Sequence, residues 1–143
     1  MKAPRLQPRP TAPPPPVQVR PSPINGRGVF ATVPLPARKK LGELTGQPVP
    51  LPQAWQGVER QAKIFMVEIS PRLALDCSRG NALKHLNHSC APNCYLRISR
   101  GLIEVYALQP IPAGTELTVD YGVTPHLGGM ACACGAPACR GRL

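Results

Sequence analysis

The chain has 143 residues and a net charge of +10, with 43% apolar but only 4% aromatic residues. That length suits one domain with its own core, is short for two, and leaves the core to aliphatic side chains. Twenty prolines and thirteen glycines exclude an architecture of long helices, and no apolar run reaches the roughly 20 residues of a membrane span or forms the centre of a secretory signal.

Residues 1–23 are rich in proline and arginine, with an unbroken proline run at 13–16. Such a segment buries too little apolar surface to offset its ordering entropy, which predicts a flexible or polyproline arm. Lys2, Arg5, Arg9, Arg20, Arg27, Arg38, Lys39 and Lys40 all precede the first acidic residue, Glu43. A basic surface of this kind favours acidic partners, nucleic acid among them. No aromatic stacking residues are interleaved with the charges, so solvated charge on an arm outranks a dedicated nucleic-acid site.

From Ile24 onward, short apolar runs bounded by Gly and Pro recur at 28–32, 40–44, 65–69, 73–77, 95–99, 102–108 and 116–121. They are strand-length and rich in Val, Ile, Leu and Tyr. Ser99-Arg100-Gly101 joins two of them as a hairpin. Helix is expected only over 52–63, where proline falls near the first turn, and as a short turn over 81–86. No internal repeat is visible.

Of the six cysteines, three form Cys132-Ala133-Cys134 and Cys139. Cysteines one residue apart pair poorly as a disulfide, but their thiolates can point at one metal ion. The absence of a secretory signal makes a reducing cytoplasm the expected compartment, where clustered cysteines bind metal more often than they cross-link. A closed zinc site needs four ligands, so one comes from elsewhere. Cys90 is the favoured candidate, with Cys94 and Cys77 as alternatives.

The segment from Gly80 to Cys94 is dense in Asn, His, Ser and Cys beside apolar strands, and residues 114–122 place Tyr121 at a strand end. Together, Gly26-Arg27-Gly28-Val29-Phe30-Ala31, Asn87-His88-Ser89-Cys90 with Pro92-Asn93, Glu116-Leu117-Thr118-x-Asp120-Tyr121-Gly122 and Cys132-x-Cys134-Gly135-x3-Cys139-Arg140-Gly141 resemble the SET-domain protein-lysine methyltransferases, in that family's order, over residues 24–143. Gly26, Gly28 and Ala31 also echo a dinucleotide fingerprint. That reading needs a strand before and a helix after, whereas a proline-rich arm precedes and Val33-Pro34-Leu35-Pro36 follows.

The resemblance implies a mainly β fold of several small sheets, few short helices and a knot-like C-terminal crossing. It divides the chain into an arm (1–23), a SET domain (24–123) and a post-SET zinc-binding tail (124–143). It implies S-adenosylmethionine contacts from Arg27, Gly28, Val29, Asn87 and His88, a structural zinc ion on Cys90, Cys132, Cys134 and Cys139, and Tyr121 as the catalytic residue that orients lysine and methyl donor. The expected partner is a protein presenting a lysine, such as a histone, a basic chromosomal protein or a ribosomal protein, and the expected state is a monomer. The family's aromatic two before the catalytic tyrosine is Val119 here, its Glu-Tyr pair is Glu43-Leu44, and its Arg-Phe is Lys84-His85. These departures keep open a SET-like binding module of low activity, beside a third reading as a zinc-stabilised nucleic-acid-binding protein. Five lysines against abundant Arg, Ala and Pro suggest a GC-rich genome such as a bacterial one, and with it the alternative of delivery to a host nucleus.

Overall fold

The structure, a computed structural model, describes residues 16–56, 65–121 and 131–142. Three small sheets organise these residues, and among them helix is confined to α1 (Leu51–Ala54) and a 3₁₀ turn at Ala82–His85. This is the mainly β architecture expected from the short, turn-bounded apolar runs.

The central sheet joins β3 (Lys40–Leu44), β9 (Leu102–Ala107) and β8 (Cys94–Ser99), with β9 in the middle. Strand β9 alternates strictly: Ile103, Val105 and Ala107 face the core, while Leu102, Glu104 and Tyr106 face outward. That is the period-two pattern of a half-buried strand. The β8–β9 hairpin turns through Arg100 and Gly101 at φ 52° and 75°, the left-handed pair that a two-residue hairpin loop requires.

A second sheet runs in the order β1 (Val17–Pro21), β2 (Arg27–Ala31), β10 (Glu116–Val119) and β7 (Asn87–His88). Strand β1 corrects the expectation of a flexible arm through residue 23. Val17 to Pro21 pair antiparallel with Ala31 to Arg27, and Val17 packs against the core. The alternation Val-Gln-Val-Arg has strand periodicity, and the proline-rich residues before it conceal that signal. Pro21 is tolerated because β1 is an edge strand, where a missing N–H costs no ladder bond.

The third sheet, β4 (Gln47–Pro50), β6 (Leu73–Asp76) and β5 (Met66–Glu68), leaves β5 on an edge. The helix expected over 52–63 is realised as α1 with a proline in its first turn; its remainder, 57–63, lies outside the described residues. One core unites the sheets, with Val29, Leu41, Leu83, Ile103, Val105 and Leu117 among its buried side chains. Among the described residues no helix is long and apolar enough to cross a membrane.

Candidate active site and thiol cluster

Strand β7 lies parallel to β10, Asn87 opposite Thr118 and His88 opposite Val119. The two segments expected to cross therefore run side by side, with Tyr121 just beyond the end of β10. Asn87 is buried, and its amide nitrogen lies 3.0–3.1 Å from Ser22 Oγ, the carbonyls of Asn25 and Arg27, and Glu116 Oε2. It thus gathers the turn leading into β2 onto β10. Ser22 Oγ, 2.8 Å from both Glu116 carboxylate oxygens, closes the same network.

A side chain at Gly28 would displace the Glu116 carboxylate from this network. A Cβ there would fall 2.3 Å from Glu116 Oε2. Val29 is fully buried in the core and Arg27 is exposed, so Gly28 and Val29 offer a ligand backbone only. Of the five residues expected to contact a cofactor, Arg27 and Asn87 are joined directly, Gly28 and Val29 continue the same strand, and His88 follows Asn87 on the neighbouring one.

Beyond β10, an apolar cavity of about 330 Å³ opens between the central sheet and β5. Leu44, Phe65, Leu86, Val119 and Tyr121 form much of its wall. Leu44, Lys84 and Val119, three positions where the sequence departs from the family pattern, all line it. The fourth, His85, makes an edge contact with Phe65 at 6.0 Å between ring centroids. The Tyr121 hydroxyl donates a short hydrogen bond to the Leu86 carbonyl. Burial, reinforced by the Glu116 carboxylate, pushes that hydroxyl well above the usual phenol range, so it remains protonated and a donor.

The Tyr121 backbone N–H donates to His88 Nδ1 at 2.9 Å. Nδ1 is therefore the accepting nitrogen, and the proton of the neutral ring sits on Nε2, 3.3 Å from Cys90 Sγ. Burial holds the His88 imidazole below its ordinary range against the opposing pull of Asp120, and Arg140 adds to the fall. The neutral form follows.

Four sulfurs, those of Cys90, Cys132, Cys134 and Cys139, lie within 4.8 Å of one another. Cys90 and Cys132 are 3.9 Å apart, close to the edge of about 3.8 Å in a tetrahedron of metal–sulfur bonds near 2.3 Å. Backbone N–H groups of Arg140 and Gly141 point at Cys90 and Cys139 at 3.3 and 3.4 Å. The backbone N–H of Cys90, foremost among its neighbours, pulls the Cys134 thiol down to about 6. A four-sulfur set with donors turned toward its thiolates suits a zinc ion. The alternatives Cys77 and Cys94 are buried in the core instead.

Several residues that shape the site act through partners the sequence does not reveal. Ser22 and Glu116 are 94 positions apart. Asn93 stood in the Pro92-Asn93 motif without a role, yet its side chain spans the β10 backbone, donating to the Glu116 carbonyl at 2.8 Å and accepting from the Thr118 N–H at 2.9 Å. Asp120 and Arg140 form an ion pair at 2.8 Å.

Comparison with known proteins agrees with this geometry. The family model described as the SET domain matches residues 26–122. The chain is 35% identical over 130 residues to the histone H3-lysine(4) N-trimethyltransferase ATX1 of Arabidopsis thaliana, covering 82% of this chain and 12% of that protein. It is 32% identical over 132 residues to the histone-lysine N-methyltransferase SETD1 of Drosophila melanogaster, covering 85% and 8%. Against an H3 lysine-4 specific histone-lysine N-methyltransferase of Kluyveromyces lactis it is 31% identical over 141 residues, covering 90% and 14%. The chain thus spans a small fraction of the length of these relatives. With the family model spanning most of the chain, the chain belongs to the SET-domain family.

Proposed function

We propose that the chain transfers methyl groups from S-adenosylmethionine to lysine side chains of a basic protein, with a histone as the favoured substrate. The observation that carries this reading is the Tyr121 hydroxyl, kept protonated and held on the Leu86 carbonyl at the wall of an apolar cavity. The names of the relatives supply the substrate class.

When bound, S-adenosylmethionine supplies an activated methyl on a positively charged sulfonium. The chain's own residues supply the rest. Arg27, Gly28 and Val29 would meet the cofactor through backbone, while Asn87 holds their turn in place and His88 supports the strand end. A lysine entering between Leu44, Leu86 and Val119 leaves water. Desolvation lowers its pKa from about 10.4, so the neutral amine that can attack carbon becomes accessible. Tyr121 and the Leu86 carbonyl would orient that amine, and alignment is the main requirement of an in-line displacement. Val119 in place of an aromatic leaves room for more than one methyl group.

Zinc on Cys90, Cys132, Cys134 and Cys139 would pin the C-terminal tail beside the site, the excess negative charge of the four thiolates partly offset by Arg140 and Arg142. A histone substrate would be met at chromatin, which displaces the cytoplasm expected from composition. A monomer, and nucleic-acid contact through the basic N-terminal residues, complete the reading; residues 1–15 of that arm lie outside the described residues.

Radiolabelled methyl transfer to core histones by zinc-loaded protein tests it. Tyr121→Phe should lower transfer by about 100-fold or more with cofactor binding retained. Wild-type protein that binds the cofactor yet transfers nothing to any lysine would leave a SET-like binding module instead.

A further inference from the structure

Arg140 occupies a junction that the proposed chemistry does not use. Its backbone N–H points at Cys90 Sγ, 3.3 Å away. Its guanidinium donates to Asp120 Oδ1 at 2.8 Å and lies 3.4 Å from His88 Nε2. Asp120 precedes Tyr121 in the chain and lines the cavity. His88 Nδ1 receives the Tyr121 backbone N–H and sits 3.6 Å from Asp120 Oδ1, while the two rings lie 5.5 Å apart. One residue of the tail thus reaches the thiol cluster through its backbone, and both neighbours of the Tyr121 amide through its side chain.

We infer that Arg140 is a positioning residue, which ties the thiol-bound tail to the strand end carrying Tyr121 and so sets the orientation of that tyrosine at the cavity. The assignment of the reaction rests on the proposed function; the mechanical coupling does not. An ion pair with Arg140 and Asp120 side chains 47% and 41% exposed contributes little to stability. Its consequence is geometric. Between two packed strands, a small displacement of a catalytic group can cost much of its rate.

Arg140→Ala, Arg140→Lys and the exchange Arg140→Asp with Asp120→Arg test this in zinc-loaded protein. Three readouts apply: zinc content, the Tyr121 amide resonance in a nitrogen-15 correlation spectrum, and kcat and KM for a lysine peptide. Arg140→Ala should keep one zinc per chain, because only its backbone faces a thiol. It should shift the Tyr121 amide and lower kcat about tenfold at nearly constant KM. Arg140→Lys and the exchange should each recover part of both effects. An unmoved Tyr121 amide with unchanged kcat overturns the inference, as does loss of zinc in Arg140→Ala, which would make the residue part of the metal shell. Should the wild type transfer no methyl group, the proposed function fails alone, since the Tyr121 resonance still decides whether Arg140 positions the tyrosine.

Discussion

The six thiols differ because their surroundings differ. Cys77 and Cys94 are buried among aliphatic side chains, and that burial pushes their thiols to about 11 and about 12. Cys134, half-buried in the thiol cluster, is drawn down chiefly by the backbone N–H of Cys90. The thiolate is the attacking form. At about pH 7.5, Cys77 and Cys94 are then ionised to less than about one part in a thousand. Timed alkylation read by peptide mass spectrometry should label Cys77 and Cys94 only once the core unfolds. Rapid labelling of Cys94 in folded protein would contradict the core placement. Tyr121 follows the same logic in the opposite role: its raised pKa favours the protonated form across the physiological range, so its donor hydrogen bond persists as pH rises through neutrality.

At the scale of the element, β10 matters most because each of its two neighbours pairs with only half its length. Glu116 and Leu117 pair with β2, and Thr118 and Val119 with β7. Asn93 completes the ladder where neither strand does, its amide bridging the Glu116 carbonyl and the Thr118 N–H. Asn93→Ala leaves both groups without those partners. With about 1–3 kcal/mol for each unsatisfied buried group, and water relieving part of it, a loss near 2 kcal/mol is expected by denaturant titration. A change below about 0.5 kcal/mol would show that β10 holds without this side chain. The same element shows what sequence can convey. Strand β9 was legible because its alternation is strict, and the β8–β9 turn because Gly101 marks it. Strand β1 was hidden because proline-rich neighbours dominate its window. The bond from Ser22 to Glu116 was invisible because only the folded chain brings them together. The four thiols were legible as a set, since three share one short motif and Cys90 follows the Asn-His-Ser block, but Arg140 revealed its reach only through the position of Asp120.

Over the whole molecule, the core and the tail answer to different forces. Among the described residues every member of the buried core lies between Val29 and Val119, so the hydrophobic effect that assembles the sheets does not depend on residues 131–142. The described tail is secured by other means: four thiols, the bridge from Ala131 to Arg142, and the ion pair from Arg140 to Asp120. Metal binding to such a segment is coupled to its folding. Removing one ligand should release the tail while leaving the sheets intact. Cys134→Ser is therefore expected to lose its zinc and to weaken S-adenosylmethionine binding by about 10-fold or more, because the proposed function has the zinc-held tail complete the cofactor site. Amide exchange at Ile103, Val105 and Leu117 should stay slow in the same variant, since no described tail residue belongs to their core cluster. Metal analysis, calorimetric titration and hydrogen exchange on one preparation separate the outcomes. Full zinc content would remove Cys134 from the ligand set. Zinc loss with unchanged cofactor affinity would detach the tail from the cofactor site, and zinc loss with fast exchange throughout the core would make the metal a condition of the whole fold.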